Sequence, residues 1–94
     1  MVIAGRDRLW KLAKKHGDAR GPLAAWMREV EAASWRRMAD VKARFPRASI
    51  LSDNRVVFDI KGNRYRVLVQ IAFSTQRVVV LRAGTHAEYD RWNL

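Results

Sequence analysis

Arg55-Val56-Val57-Phe58-Asp59-Ile60-Lys61-Gly62-Asn63-Arg64-Tyr65-Arg66-Val67 is the stretch on which the fold turns. Apolar and polar residues alternate on both sides of Gly62-Asn63, a dipeptide suited to a two-residue hairpin loop. With that loop, Lys61 faces Arg64, Ile60 faces Tyr65, Asp59 faces Arg66 and Phe58 faces Val67. Successive side chains of a strand point to opposite faces. One face then collects Val56, Phe58, Ile60, Tyr65, Val67, Val69, Ile71 and Phe73. The other collects Arg55, Val57, Asp59, Lys61, Arg64, Arg66, Leu68 and Gln70. A slip of one residue would mix the two sets, so the pattern fixes the register. The apolar face needs a cover, and the basic face is expected to stay open. Asp59 opposite Arg66 is a cross-strand ion pair, and it would also hold the guanidinium in place for a phosphate.

Working outward, strands are predicted over Arg55 to Ile60, Arg64 to Phe73 and Arg77 to Ala83, with Ser74-Thr75-Gln76 as the second turn. Ser49 to Leu51 reads as a short strand, followed by a turn at Ser52-Asp53-Asn54. The N-terminal half changes to helical period. Arg6 to His16 carries Leu9, Trp10 and Ala13 on one side and Arg8, Lys11, Lys14 and Lys15 largely opposite, and Gly17-Asp18 stops it. Pro22 restarts the pattern as a first-turn proline, and Leu23, Trp26, Met27, Val30 and Ala33 follow at helical spacing. The connection is short, so the two helices form an antiparallel hairpin. Ala39 to Arg44 is a short third helix ended by Pro46, and Met1 to Ala4 is an edge strand. The fold class is α+β: a helical hairpin packed on one face of a small, mainly antiparallel sheet. Residues 1–94 read as a single domain.

The last strand runs into Gly84-Thr85-His86-Ala87-Glu88-Tyr89-Asp90. Thr85 and Glu88 form a capping box at a helix start, with Gly84 turning the chain out of the strand. His86 and Tyr89, three apart, share a side of that helix. A capping box is mainly a folding signal, but an imidazole and a phenol at a strand-to-helix corner also suit chemistry.

Composition narrows the partners. Nineteen Lys+Arg against nine Asp+Glu give a formal charge of +10, and fourteen of the nineteen are arginines. A small domain this basic meets nucleic acid, an anionic membrane or an acidic protein. There are no cysteines, hence no disulfide framework and no thiolate metal site. Two histidines far apart in sequence do not suggest a metal site. No apolar run resembles a signal peptide or a membrane span, so a cytoplasmic location is expected.

The run from Asn54 to Arg66, together with Gly84 to Asp90, resembles the HigB toxins of bacterial type II toxin–antitoxin systems. Asp40-Val41-Lys42-Ala43-Arg44-Phe45-Pro46 and Ala48-Ser49-Ile50-Leu51 are similar too. The resemblance implies a RelE/ParE-type fold and an RNase that cuts messenger RNA as it is translated on the ribosome. It implies a HigA-like antitoxin with a helix-turn-helix domain, and operator DNA bound only through the toxin–antitoxin complex. The chain departs from the family in its short terminal helix and in Arg82, which stands where relatives often carry an aromatic residue.

Such RNases need no metal or other cofactor when the RNA's own 2′-hydroxyl attacks the neighbouring phosphorus. His86 is the first candidate for acid or base, since imidazole titrates nearest neutrality. Arg66 and Lys61 are the candidate phosphate stabilisers, and Lys61 becomes a base if flanking cations lower its pKa. Tyr89 is a second proton-transfer candidate or a stacking surface. Arg55, Arg64 and Arg82 would hold the strand through its phosphates. Asn63 would orient a phosphate or simply make the turn. Two other classes stay open on residues alone: a non-enzymatic nucleic-acid-binding module, and a ParE-like gyrase inhibitor on the same fold.

Overall fold

The computed structural model describes residues 1–94. In chain order the elements are β1 (Val2–Ala4), α1 (Arg6–Lys15), α2 (Arg20–Ala32), α3 (Met38–Arg44), β2 (Ser49–Ile50), β3 (Arg55–Ile60), β4 (Tyr65–Ala72), β5 (Arg77–Thr85) and α4 (His86–Tyr89). A 3₁₀ turn at Gly17–Ala19 joins α1 to α2. The five strands make one sheet in the order β1-β5-β4-β3-β2. Only the β1–β5 pair is parallel. This is the α+β arrangement expected from the sequence.

The central hairpin has the predicted register. Asp59 pairs with Arg66, Phe58 with Val67 and Ile60 with Tyr65. The loop is wider than two residues, because Lys61 and Gly62 both take positive φ (53° and 70°). Arg64 is drawn into the turn, where its N–H donates to the Lys61 carbonyl at 3.2 Å. The strain at Lys61 falls on a non-glycine residue, whereas Asn63, the residue type that tolerates it, keeps negative φ.

The helices cover the apolar face. Phe58, 1% exposed, is at the centre of the core. Its ring lies 5.0 Å from Phe45 and 5.3 Å from Trp26, and it stacks on Trp35 at 6.5 Å. Trp35 lies in the irregular segment between α2 and α3, so its burial does not follow the helical period. Leu9, Leu12 and Ala13 are the buried residues of α1. Trp10, expected to share that side, points outward instead, with the Arg20 guanidinium 6.0 Å from its ring. It stands about 100° round the helix from Leu9, and Leu12 fills the core position. At the end of α2 the Met1 ammonium donates to the carbonyls of Val30, Glu31 and Ala33, which satisfies acceptors that a helix end leaves open. Gly5 joins β1 to α1 at φ 83°, where a Cβ would lie 2.7 Å from the Val80 carbonyl oxygen.

Two expectations need correction. Gly84 does not turn the chain out of the strand. β5 continues through it to Thr85, and Gly84 pairs with Arg66. The glycine is there for space: a Cβ would stand 3.1 Å from the Trp92 ring and 3.2 Å from the Glu88 Cβ. Nor is the second sheet face open. The chain leaves α4 over Arg66 and returns to Arg55, whose guanidinium donates to the Leu94 carbonyl at 3.2 Å. Val57 and Leu68 lie between those two points on that face and are 0% and 3% exposed. Two apolar side chains on a basic face invite such a cover, since burying them is favourable.

Candidate nucleic-acid interface and active site

The corner where β5 becomes α4 holds the densest chemistry. The capping box forms as the sequence predicts: the Thr85 N–H donates to Glu88 Oε1 at 3.0 Å, and the Glu88 N–H to Thr85 Oγ1 at 3.1 Å. The backbone N–H of Thr85 holds the Glu88 carboxyl below its usual range. The box starts a helix of only four residues. A helix this short has no stability of its own, so the cap and the sheet beneath must fix it.

Arg66 lies under that helix. Its Nε is 3.2 Å from Asp59 Oδ1, and the two side chains are 13% and 18% exposed. The N–H does not line up on the carboxylate as a hydrogen bond, so the contact is an ion pair. The guanidinium lies 4.6 Å from the centre of the Tyr89 ring. One cation is therefore gripped on two sides, by a carboxylate and by an aromatic face.

His86, Tyr89 and Trp92 recur at intervals of three. Their rings meet edge to face, 6.3 Å apart for the first pair and 5.6 Å for the second. Asp90 completes the group, with its Oδ2 3.3 Å from His86 Nδ1. A carboxylate at Nδ1 favours the tautomer with the proton there and leaves the lone pair on Nε2. Arg82 is exposed on β5, and its guanidinium lies 5.9 Å from the Trp92 ring. An aromatic ring thus stands beside position 82 although the residue itself is arginine.

The other candidates are placed differently. Lys61 Nζ and Arg64 Nη1 both reach Asp18 Oδ2, at 2.9 and 3.0 Å, and the Tyr65 hydroxyl donates to Asp18 Oδ1. The Tyr65 and Lys61 donors hold the Asp18 carboxyl far below the usual carboxylate range, and the same bond raises the Tyr65 phenol. These cations are tied to the turn between α1 and α2, while the backbone of Arg64 touches the corner through its carbonyl, 2.9 Å from the His86 nitrogen. Arg55 lies at the far end of β3, bonded to Ser52 and to the Leu94 carbonyl. Asn63 is exposed at the tip of the loop.

Three participants escaped sequence reasoning. The spacing of His86 and Asp90, four apart on a helix, was a usable signal. Trp92 continues the interval of three. Asp18 gave none, since its partners lie more than forty residues away.

Residues 19–92 match the family model HigB_toxin, the RelE-like toxic component of a toxin–antitoxin system. The chain is 28% identical over 92 residues to the mRNA interferase toxin HigB of Escherichia coli strain K12, covering 96% of this chain and 88% of that protein. The mRNA interferases HigB of Escherichia coli O157:H7 and Shigella flexneri are similar to the same degree. No helix of this chain is long and apolar enough to cross a membrane.

Proposed function

Because the chain belongs to the HigB_toxin family of RelE-like toxic components, we propose that it is an mRNA interferase that cuts messages on the translating ribosome and is neutralised by a HigA-like antitoxin. Operator DNA is bound only through the toxin–antitoxin complex. The observation that carries the enzymatic reading is the Arg66 guanidinium, held between Asp59 and the Tyr89 ring beside His86.

The reaction is an internal transfer. The 2′-oxygen of the RNA forms a bond to the adjacent phosphorus as the bond to the 5′-oxygen breaks, leaving a 2′,3′-cyclic phosphate and a 5′-hydroxyl. One proton leaves the 2′-oxygen and one reaches the 5′-oxygen. His86 Nε2 carries one of these transfers, with Asp90 fixing the ring. Arg66 meets the charge that builds on the phosphorane oxygens, and its grip by two partners means that little reorganisation is needed. Tyr89 orients the guanidinium and offers the second proton-transfer group. Arg82, Arg55 and Asn63 track the flanking phosphates, and Lys61 and Arg64 join them by exchanging Asp18 for phosphate.

The test is to add the purified protein to translating ribosomes and map the message ends. Discrete cuts with cyclic phosphate termini are expected. Intact RNA with broken DNA would replace this reading with gyrase poisoning, and intact RNA and DNA with a binding module.

A further inference from the structure

A groove of about 750 Å³ runs between α1 and the end of β5 and reaches Glu88 and Trp92. Two independent features meet there. The first is a bare sheet edge. β1 ends at Ala4, opposite Val79, so from Val80 onward β5 has no strand on that side. Leu81 is the extra residue of a bulge, because Val80 pairs with Val69 and Arg82 with Leu68. Backbone groups along Leu81–Ala83 that point away from β4 therefore lack a ladder partner. The second feature is the lining. Leu12, Leu81, Ala83 and Trp92 give an apolar floor, while Arg8, Lys11, Lys14, Lys15 and Arg82 surround it with positive charge against one acid, Glu88.

We propose that this edge is a docking groove for an extended, acidic segment of a protein partner, alternating acidic and aliphatic residues, which adds as a short strand along Leu81–Ala83. The strand supplies the missing ladder hydrogen bonds, its aliphatic side chains meet the apolar floor, and its carboxylates meet the cationic rim. A polynucleotide would satisfy the rim only, since its backbone offers no alternating donors for a sheet edge. The groove's exposed β edge spans three residues, about 10 Å at 3.3 Å per residue, so the contact is short and depends on the charges. The proposal does not depend on the RNase reading.

The test uses the full chain and an acetylated, amidated octapeptide alternating glutamate and valine. Hydrogen exchange should slow on at least one amide of Leu81–Ala83 when the peptide binds. The same peptide with alternate backbone amides N-methylated should bind at least about tenfold more weakly, as should the wild-type peptide to the double variant Lys11→Glu/Lys15→Glu. Circular dichroism on that variant checks that it is folded. No binding, or binding that N-methylation does not weaken, overturns the proposal. So does protection confined to other residues. Octauridylate competing at the groove as well as the peptide would make it an RNA track instead.

Discussion

His86 and Arg66 meet the same helix from opposite sides, one standing on it and the other beneath it, and their replacement should have different signatures. His86→Ala is expected to keep the fold, since the side chain is 45% exposed and no core contact is lost. The cleavage rate should fall by about 10² to 10⁴. Single-turnover cleavage with unfolding curves on the same samples checks both halves of that statement, and wild-type cleavage would remove His86 from the mechanism. Arg66→Ala should cut the rate at saturating RNA by about 10² or more. Arg66→Lys should rescue little, because lysine has no planar fork to lie between Asp59 and the Tyr89 ring. If Arg66→Ala changes affinity alone, the cation that meets the phosphorane is elsewhere, and Lys61 would need to leave Asp18 to serve. Which cation was free and which was held could not be read from the sequence, because Asp18 sits in a turn whose position depends on the whole hairpin of helices.

At the scale of elements, the β3–β4 hairpin was the most legible part of the chain. Its period of two and its turn act on the same few residues, so no distant contact was needed to set the register. Phe58 inherits its burial from that register and is the meeting point of Trp26, Trp35 and Phe45. Phe58→Ala should cost about 3 to 5 kcal/mol in urea unfolding, and a value below about 1 kcal/mol would mean that the aromatic cluster closes over the gap. The junction of β5 and α4 was read less well. A glycine before a capping threonine looks like a turn, but here it is a ladder residue with α4 and Trp92 pressed onto it. That close approach is made by residues later in the chain, and nothing local encodes it. Gly84→Ala is therefore a probe of α4 placement. It should destabilise by roughly 1 to 3 kcal/mol through overpacking and lower cleavage beyond what that loss explains, since His86, Tyr89 and Trp92 must shift together. Full activity with unchanged stability would show that the helix has room to give.

Across the whole molecule, the Asp18 cluster fastens the helical layer to the tip of the sheet, and its titration should show in stability. The Asp18 carboxyl is depressed in the folded state, so its contribution is present above the ordinary carboxylate pKa of about 3.9. It is lost as pH falls through the lower folded value. The Tyr65 phenol is raised, so its contribution is present below about pH 10 and is lost as pH rises through the higher folded value. Urea unfolding of the wild type and Asp18→Asn across pH should show the largest gap at neutral pH, narrowing at both extremes. A constant gap would mean that Asp18 acts by shape and not by charge. The parallel pairing of β1 with β5 has a different kind of consequence. Val2 lies beside Arg77, so β1 waits for a strand made much later in the chain before it joins the sheet. Contacts so distant in sequence form late, and a nascent chain emerges from its N-terminus. For a protein proposed to attack messages under translation, synthesis itself then sets a delay: the ribosome making it holds an unfinished enzyme until β5 and α4 have been delivered.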